Sequence, residues 1–364
     1  MFKTYTYKSL ALIFALVLIA SCTKDDGYTD IEAPKISPVT LDLSTVPYET
    51  LSEYNFFEGN MADLNPVYGV LPYKIISSLF IDYANAKTFV WMPKDSTAIY
   101  VNDYSVLDFP TGSVLITTHY FENVLPNNSS KMIETRLLIK KESEWIMANY
   151  KWNEQQTEAT YTTEGSFVNV DLLHDNTEKN VTYKIPNYSE CFTCHNKSDV
   201  IEPIGTKPQN LNSKLMFNDG LKNQLKKWVE FGYLEDNLPA NIVSVVDWQD
   251  ESQPLDLRVR SYFDINCAHC HSNDGYCNYA SMRFEFNKTA DISNLGVCVE
   301  SVFYINPTIS HVVKPGVLER SALYFRMNST EDQYKMPIIG RVQKHDEGLT
   351  LIEEWINSLS TDCN

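Results

Sequence analysis

The residues of this chain best suited to chemistry are two short groups of cysteines and histidines. The pattern C-x-x-C-H occurs twice, as Cys191-Phe192-Thr193-Cys194-His195 and as Cys267-Ala268-His269-Cys270-His271. In this pattern each thiol can add to one vinyl group of a haem, and the histidine that follows can bind the iron as its proximal ligand. The sequence therefore predicts two covalently bound haem c groups, with His195 and His271 as proximal ligands.

Three other uses of C-x-x-C pairs compete with haem attachment. A thioredoxin-like dithiol does not explain the histidine after each pair, and neither pair lies in a βαβ pattern. A single structural zinc is disfavoured because the two pairs lie more than 70 residues apart, beyond the usual spacing of zinc fingers. Two structural disulfides would form tight loops that seldom repeat with a histidine behind them. Haem attachment therefore remains the preferred interpretation.

The distal ligand of the second haem is predicted to be Met336. It lies 65 residues after His271, in Tyr334-Lys335-Met336-Pro337 and shortly before the last predicted helix. A haem motif, a loop with methionine and a closing helix follow one another in the same order in class I cytochromes c. Pro337 stiffens the loop and removes a backbone donor. The alternatives are that Met336 is a core residue, or that Met282 or Met327 takes its place, although both of these lie near apolar residues typical of packing.

The distal ligand of the first haem is harder to choose. Between His195 and Cys267 there is no other histidine, and the only methionine is Met216. Met216 precedes a predicted helix, as Met336 does, so Met216 is the first choice. His119 or His174, from the part of the chain before the motif, and an open sixth position remain alternatives.

The N-terminus has the pattern of an export signal. Lys3 and Lys8 precede an apolar run from Leu10 to Ala20, which is too short to span a bilayer as a helix but suits a signal peptide. Ile19-Ala20-Ser21-Cys22 resembles the lipobox of bacterial lipoproteins, in which the chain is cut before the cysteine and the cysteine is acylated. An ordinary cleaved signal is the alternative. Thr23-Lys24-Asp25-Asp26 resembles the acidic signal of outer-membrane lipoproteins, which predicts a periplasmic or cell-surface location.

Export places the remaining cysteines in an oxidising compartment. The sequence then predicts a disulfide between Cys277 and Cys298, which leaves Cys363 unpaired. A bond from Cys363 to either of them is the alternative.

The elements that must position these residues divide the chain into an early β part and a later α part. Residues 1–21 are the predicted signal and residues 22–46 a polar tether with two prolines. Short strands with turn signals between 47 and 186 predict an antiparallel sandwich or barrel-like domain. Amphipathic helices are predicted over 220–233, 254–265 and 348–359. They lie in a first haem unit, 187–247, and a second, class I cytochrome c-like unit, 248–364, so the fold class is α+β.

Composition excludes two classes of function. The chain has 30 Lys+Arg against 47 Asp+Glu and a net charge of −17, so it lacks the basic surface that binds nucleic acid. The N-terminal run is its one long apolar stretch, which excludes a membrane protein with several spans. The acidic surplus is typical of a solvated surface, and it also suits a basic redox partner.

Beyond these motifs, the chain resembles exported bacterial diheme c-type cytochromes with an N-terminal β domain. The matching stretches span residues 50–360 and are Leu71-Pro72-Tyr73, Leu79-Phe80-Ile81-Asp82-Tyr83-Ala84, Phe109-Pro110-Thr111-Gly112-Ser113-Val114-Leu115, Glu134-Thr135-Arg136-Leu137-Leu138, Pro203-Ile204-Gly205, Asn266-Cys267-Ala268-His269-Cys270-His271 and Met336-Pro337. Similar modules are joined to quinoprotein-type sugar dehydrogenases. The resemblance therefore implies electron exchange with a redox partner such as an exported dehydrogenase or another cytochrome.

Two functions follow as expectations. The first is electron transfer outside the cytoplasm by a lipid-anchored diheme cytochrome. The alternative is a diheme peroxidase-like reductase in which one iron keeps an open position. Whether the first iron has six ligands separates the two.

Overall fold

Apolar and β-branched residues between 71 and 185 form a large antiparallel sheet. The structure is a computed structural model, and it describes residues 35–360 and 362–363. The strands of its first half are β1 Phe57–Glu58, β2 Asn65–Pro66, β3 Leu71–Tyr73, β4 Asn85–Trp91, β5 Val114–Val124, β6 Ser129–Lys140, β7 Trp145–Trp152, β8 Ala159–Thr162, β9 Ser166–His174 and β10 Thr177–Ile185. The antiparallel β structure predicted between 47 and 186 is thus confirmed.

The sheet has eight strands and forks at β5. Its main order is β10-β9-β5-β6-β7-β8, and β4 pairs with the first half of β5 and also with β3. β1 and β2 form a separate pair. The register between β5 and β6 shifts between His119 and Tyr120, which marks a β-bulge in the middle of the longest hairpin. Bulges re-aim side chains and are frequent beside functional sites.

Side chains alternate between the two faces of the sheet along each strand, and other parts of the chain cover both faces. Val114 and Ile116 on one face pack with Leu51 and Tyr54 from the chain before the sheet. Leu115 on the other face belongs to a cluster that also holds Leu211, Leu225 and Trp228, all from beyond the first motif. The chain around the first motif therefore shares its core with the sheet across the predicted boundary at 186/187.

The later half of the described chain contains six short α-helices and two small hairpins. The helices are α1 Tyr188–His195, α2 Pro208–Leu211, α3 Gln224–Phe231, α4 Leu255–Asn266, α5 Ala322–Asn328 and α6 Asp346–Ser358. The hairpins pair β11 Asn196–Lys197 with β12 Val200–Ile201, and β13 Lys214–Phe217 with β14 Gly220–Asn223. The helices predicted at 254–265 and 348–359 are present. The helix predicted from Gly220 begins at Gln224, because residues 220–223 form a strand.

A separate core supports the second motif. Phe263 of α4, Leu323 of α5 and Trp355 of α6 pack in one cluster with Phe284 and Val313. The described chain is thus a mixed α+β structure, as predicted at that level. Ser37–Asn364 form one compact unit.

None of the helices within residues 35–360 is both long and apolar enough to cross a membrane. The predicted signal, the lipobox and Cys22 lie outside the described residues, so their interpretation remains a prediction.

Candidate functional site

The first motif lies on α1, which begins at a capping box. The Asn187 side chain accepts a hydrogen bond from the Glu190 amide at 2.9 Å, and the Glu190 carboxylate accepts one from the Asn187 amide at 3.0 Å. This reciprocal pair satisfies two amide donors at the helix start. Cys191 and Cys194 are three residues apart on the helix, so their thiols lie on one face. Both line a cavity between α1 and the sheet.

His195 at the end of α1 is held in one orientation. Its Nδ1 lies 2.8 Å from the carbonyl oxygen of Glu202, to which it donates as the Nδ1–H tautomer. Burial lowers the pKa of His195, which favours the neutral ring. The lone pair is then on Nε2. A second hydrogen bond of this kind orients most metal-binding histidines.

The second motif follows the C-terminus of α4. The amides of Cys270 and His271 donate to the Cys267 carbonyl at 3.2 and 2.9 Å, which folds the motif into a tight turn. The His271 ring packs edge-on against Phe284, with the ring centres 5.2 Å apart. His271 Nδ1 is buried and has no hydrogen-bond partner among the described residues. A buried, unpaired ring nitrogen at this position requires an explanation.

Two cavities meet at the motifs. One is about 860 Å³ in volume and lies between α1 and the sheet, and Cys191, Cys194 and His195 line it. The other is about 330 Å³, and Cys267, Cys270 and His271 line it together with Met336. Cys194 and His269 line both cavities. Both volumes lie in the range of roughly 300–1,000 Å³ that is usual for cofactor sites.

The wall between the cavities brings the two motifs into contact. Cys194 Sγ, a ring nitrogen of His269 and Cys270 Sγ all lie within 4.8 Å of one another. A hydrogen bond with the Cys270 thiol lowers the pKa of both Cys194 and Cys277, so three sulfurs form a continuous chain. This contact could not be predicted from the sequence, because the motifs are far apart in the chain.

The other two motif thiols are in apolar surroundings. Burial raises the pKa of Cys191 to about 11 and that of Cys267 to about 12. In a reactive C-x-x-C pair, by contrast, the thiol that attacks must have a lowered pKa, because the thiolate is the nucleophile. In the second motif neither thiol meets this requirement, because hydrogen bonds with Cys194 and Cys277 raise the pKa of Cys270 as well.

Met336 lines the second cavity with His271 and lies on a loop that Arg341 organises. Arg341 is 3% exposed. Its Nη2 donates to the carbonyl of Met336 at 2.9 Å and to that of Ser329 at 2.8 Å. The same Nη2 also lies within hydrogen-bond distance of the Arg326 and Met327 carbonyls, so its two hydrogens are shared, and Nη1 donates to the Gln343 carbonyl. Met282 and Met327 also line this cavity, but both pack against the core of the second half, whereas Met336 is not part of that cluster.

The same loop is tied to the sheet side of the molecule. The buried carboxylate of Asp82 accepts hydrogen bonds from the amides of Val342 and Gln343, both at 2.8 Å. Burial raises the pKa of Asp82, and these hydrogen bonds oppose the rise. The β part of the chain therefore takes part in shaping the second cavity as well as the first.

Two predictions for individual residues are wrong in this structure. Met216 is 65% exposed on the hairpin of β13 and β14 and lines neither cavity, because the strand there turns its side chain to solvent.

The disulfide joins Cys298 to Cys363, which was the alternative, rather than to Cys277. Cys277 is instead buried beside Cys270, where its amide donates to the Cys270 carbonyl at 2.9 Å. Among the described residues it has no disulfide partner.

The sheet contributes a group of buried polar side chains to the first cavity. His119 is 4% exposed and lines the first cavity, with Arg136 and Asn149 on the same wall. Within residues 35–360, His119 Nδ1, Arg136 Nε and both amide atoms of Asn149 are buried without a hydrogen-bond partner. Burial lowers the pKa of His119 to about 3, so its ring is neutral. A histidine in the middle of the apolar run from Val114 to Phe121 was the available signal.

His345 occupies the N-cap position of α6. Its ring is nevertheless buried and stacks on Phe80, with the ring centres 4.0 Å apart. Tyr262 and His345 Nδ1 share a hydrogen bond of 3.0 Å. His345 thus forms part of the wall that both cavities share.

Comparison of the chain with protein-family models, with curated proteins and with solved structures finds no match. The geometry of the two motifs therefore carries the functional argument.

Proposed function

We propose that this protein is a diheme c-type cytochrome that transfers electrons outside the cytoplasm. Cys191 and Cys194 would hold one haem and Cys267 and Cys270 the other. His195 and His271 would be the proximal ligands, and Met336 the distal ligand of the second iron. When bound, each haem supplies a centre that takes up and releases one electron at a time.

The observation that carries the proposal is the contact between the motifs. Cys194 and Cys270 lie within 4.8 Å of each other, and each also lines a cavity that contains the rest of its own motif. Two adjacent redox centres suit a relay, because an electron can pass between them without leaving the protein.

The polar atoms of the cavities support a cofactor with both a metal and acidic groups. His195 presents Nε2 to the first cavity, since its Nδ1 is engaged by Glu202. Arg136 and Asn149 have buried donors without partners on the opposite wall, where they suit carboxylates such as haem propionates. Most of the remaining lining is apolar, which keeps water away from the centre.

Location and partner belong to the same proposal. Acylated Cys22 would anchor the protein to the outer membrane, and its redox partner would be an exported dehydrogenase or another cytochrome. Cys22→Ser should release the protein from membranes or block its processing, and unchanged partition into membranes would count against the anchor.

Haem counting tests the proposal directly. Protein purified from a host that matures c-type cytochromes should keep its haem after acid-acetone treatment and show two haem additions by intact mass spectrometry. Cys191→Ala/Cys194→Ala and Cys267→Ala/Cys270→Ala should each lose one addition. Extractable haem, or fewer than two additions in the parent protein, would refute the diheme assignment.

A second candidate is a structural metal site. Cys194, His269 and Cys270 present one ligand atom each within 4.8 Å, and zinc binds such a mixed set. A single ion there would use one cysteine of each motif and leave Cys191, Cys267 and both cavities unexplained. Stoichiometric zinc in protein without covalent haem, lost in His269→Ala, would favour this candidate over the cytochrome.

A further inference from the structure

The first motif offers His195 as the proximal iron ligand, but no distal ligand has been named for it once Met216 is excluded. The opposite wall of its cavity is the sheet face formed by alternate residues of β5, β6 and β7, among them Thr117, His119, Leu138 and Met147. On this wall, His119 and Met147 have the nitrogen or sulfur donors that iron in haem proteins takes as axial ligands.

We propose that the imidazole of His119 is the iron ligand opposite His195 at the first motif. The inference rests on the proposed function, because it requires a haem attached to Cys191 and Cys194. It places a residue of the β domain in the metal site and gives the first iron two histidine ligands, in contrast to histidine and methionine at the second.

The surroundings of His119 match those of a metal-binding histidine. His119 pairs across the strands with Glu134, whose carboxylate is fully buried and accepts from Arg136 and Tyr183. Glu134 Oε2 and His119 Nδ1 are both buried and unpartnered within the described residues. A donor and an acceptor thus lie on cross-strand neighbours, and a hydrogen bond between them would leave Nε2 for the metal.

The β-bulge between β5 and β6 lies directly beside His119. The register between β5 and β6 shifts immediately after His119, with Ile133 of β6 as the extra residue, so this ladder is interrupted beside the histidine. A buried imidazole costs more in a strand interior than an apolar residue unless both ring nitrogens find partners, and here Glu134 would take Nδ1 and the metal Nε2. His119, Arg136 and His195 all line the first cavity, so the three side chains surround one space.

The competing side chains are less suitable. Met147 belongs to the apolar core shared with Trp228, as Met282 and Met327 belong to theirs. The His174 side chain is 36% exposed, and its Nε2 lies 3.6 Å from Glu347 and 3.7 Å from Asp175. His269 lies close to the sulfur of Cys194. In the proposed cytochrome this sulfur is bonded to a vinyl group at the edge of the haem, so His269 would lie at that edge and not at the iron.

The test uses the full-length protein with its haems attached. In the parent protein, near-infrared magnetic circular dichroism should show two ferric low-spin centres, one with two nitrogen ligands and one with nitrogen and thioether. In His119→Ala, one of the two haems should become high-spin and bind cyanide, and added imidazole should restore its low-spin spectrum. The signal of the second haem should stay as it is. His174→Ala is the matched control, and both haems should remain low-spin in it.

Four results would overturn the inference. The first is a parent protein with one high-spin iron, which would favour the peroxidase-like alternative. The second is a parent protein with two thioether-ligated haems. The third is a Met147→Leu or His174→Ala variant in which the first haem becomes high-spin. The fourth is a His119→Ala variant that stays low-spin. If His119→Ala does not fold, the parent spectrum and the His174→Ala spectrum together decide. Failure of the proposed function is distinguishable, because intact mass would then show no haem at Cys191 and Cys194.

Discussion

The loop that carries Met336 should depend on the forked side chain of Arg341. In the structure, this guanidinium donates to the carbonyls of five residues, 326, 327, 329, 336 and 343, and is almost fully buried. Arg341→Lys keeps the positive charge near Asp82, but an ammonium has only three donors and no planar fork. At least two carbonyls should therefore lose their donor.

The size of the effect follows from these lost bonds. A buried polar group left unpaired costs about 1–3 kcal/mol, so two such groups should destabilise the closed loop by about 3 kcal/mol. An energy of about 3 kcal/mol corresponds to a roughly hundredfold change in an opening equilibrium. Arg341→Met should cost more, because it removes every donor to these carbonyls and also the positive charge that helps to lower the pKa of buried Asp82.

Hydrogen exchange measures this opening without reference to a cofactor. The amides of Val342 and Gln343 donate to Asp82, and the Met336 amide donates to the Arg326 carbonyl, so all three are protected only while the loop is closed. Their exchange should accelerate about a hundredfold in Arg341→Lys. Arg320→Lys, at an exposed arginine, is the control and should leave these rates unchanged. An acceleration below about threefold would show that the carbonyl contacts do not hold the loop.

Three further predictions concern the second half of the chain. Met336→His should lower one of two midpoint potentials and abolish the far-red methionine-to-ferric charge-transfer band, because the thioether that favours ferrous iron is lost. Two unchanged midpoints would contradict the assignment. Cys363→Ser should lower the free energy of unfolding by about 4 kcal/mol, given the 65-residue separation from Cys298, and non-reducing peptide maps of the parent should contain that bond. Burial lowers the pKa of His345 to about 3 from the ordinary 6.5. The unfolded chain therefore binds more protons between those values, and stability falls as the pH drops from 6.5 towards 3. In His345→Phe, urea midpoints should fall less steeply over that range, and an identical acid branch would contradict the shift.

The sequence predicted best what depends on local pattern. Helices α4 and α6 lie within two residues of their predicted bounds, because a 3.6-residue apolar period and the chain around it are enough to define a helix. The antiparallel strands were equally visible from alternation and turn residues. The same local reasoning failed at Met216: a methionine before a helix looked like a repeat of Met336, but a strand of the β13–β14 hairpin turned it to solvent.

What could not be predicted depends on contacts between distant residues. The pairing of Cys298 with Cys363 depends on where the chain end lies against the core, and no spacing rule encodes that. The contact of Cys194 with Cys270 joins the end of α1 to the turn that follows α4, two places that lie far apart in the chain. Arg341 belongs to no motif, and Asp82 lies in a matching stretch that assigned it no role, so the role of both follows only from the carbonyls and amides that surround them.

The two motifs differ in how much of the chain each needs. The second has a core of its own, built from α4, α5 and α6, and its cavity is closed by a loop from the same half. The first has no comparable core, since Leu211 and Trp228 pack into the sheet cluster and the far wall of its cavity is the sheet itself. A β domain fused to one cytochrome-like unit would need only to dock. A β domain that supplies His119, Arg136 and Asn149 to the first cavity is instead part of the wall of that cavity.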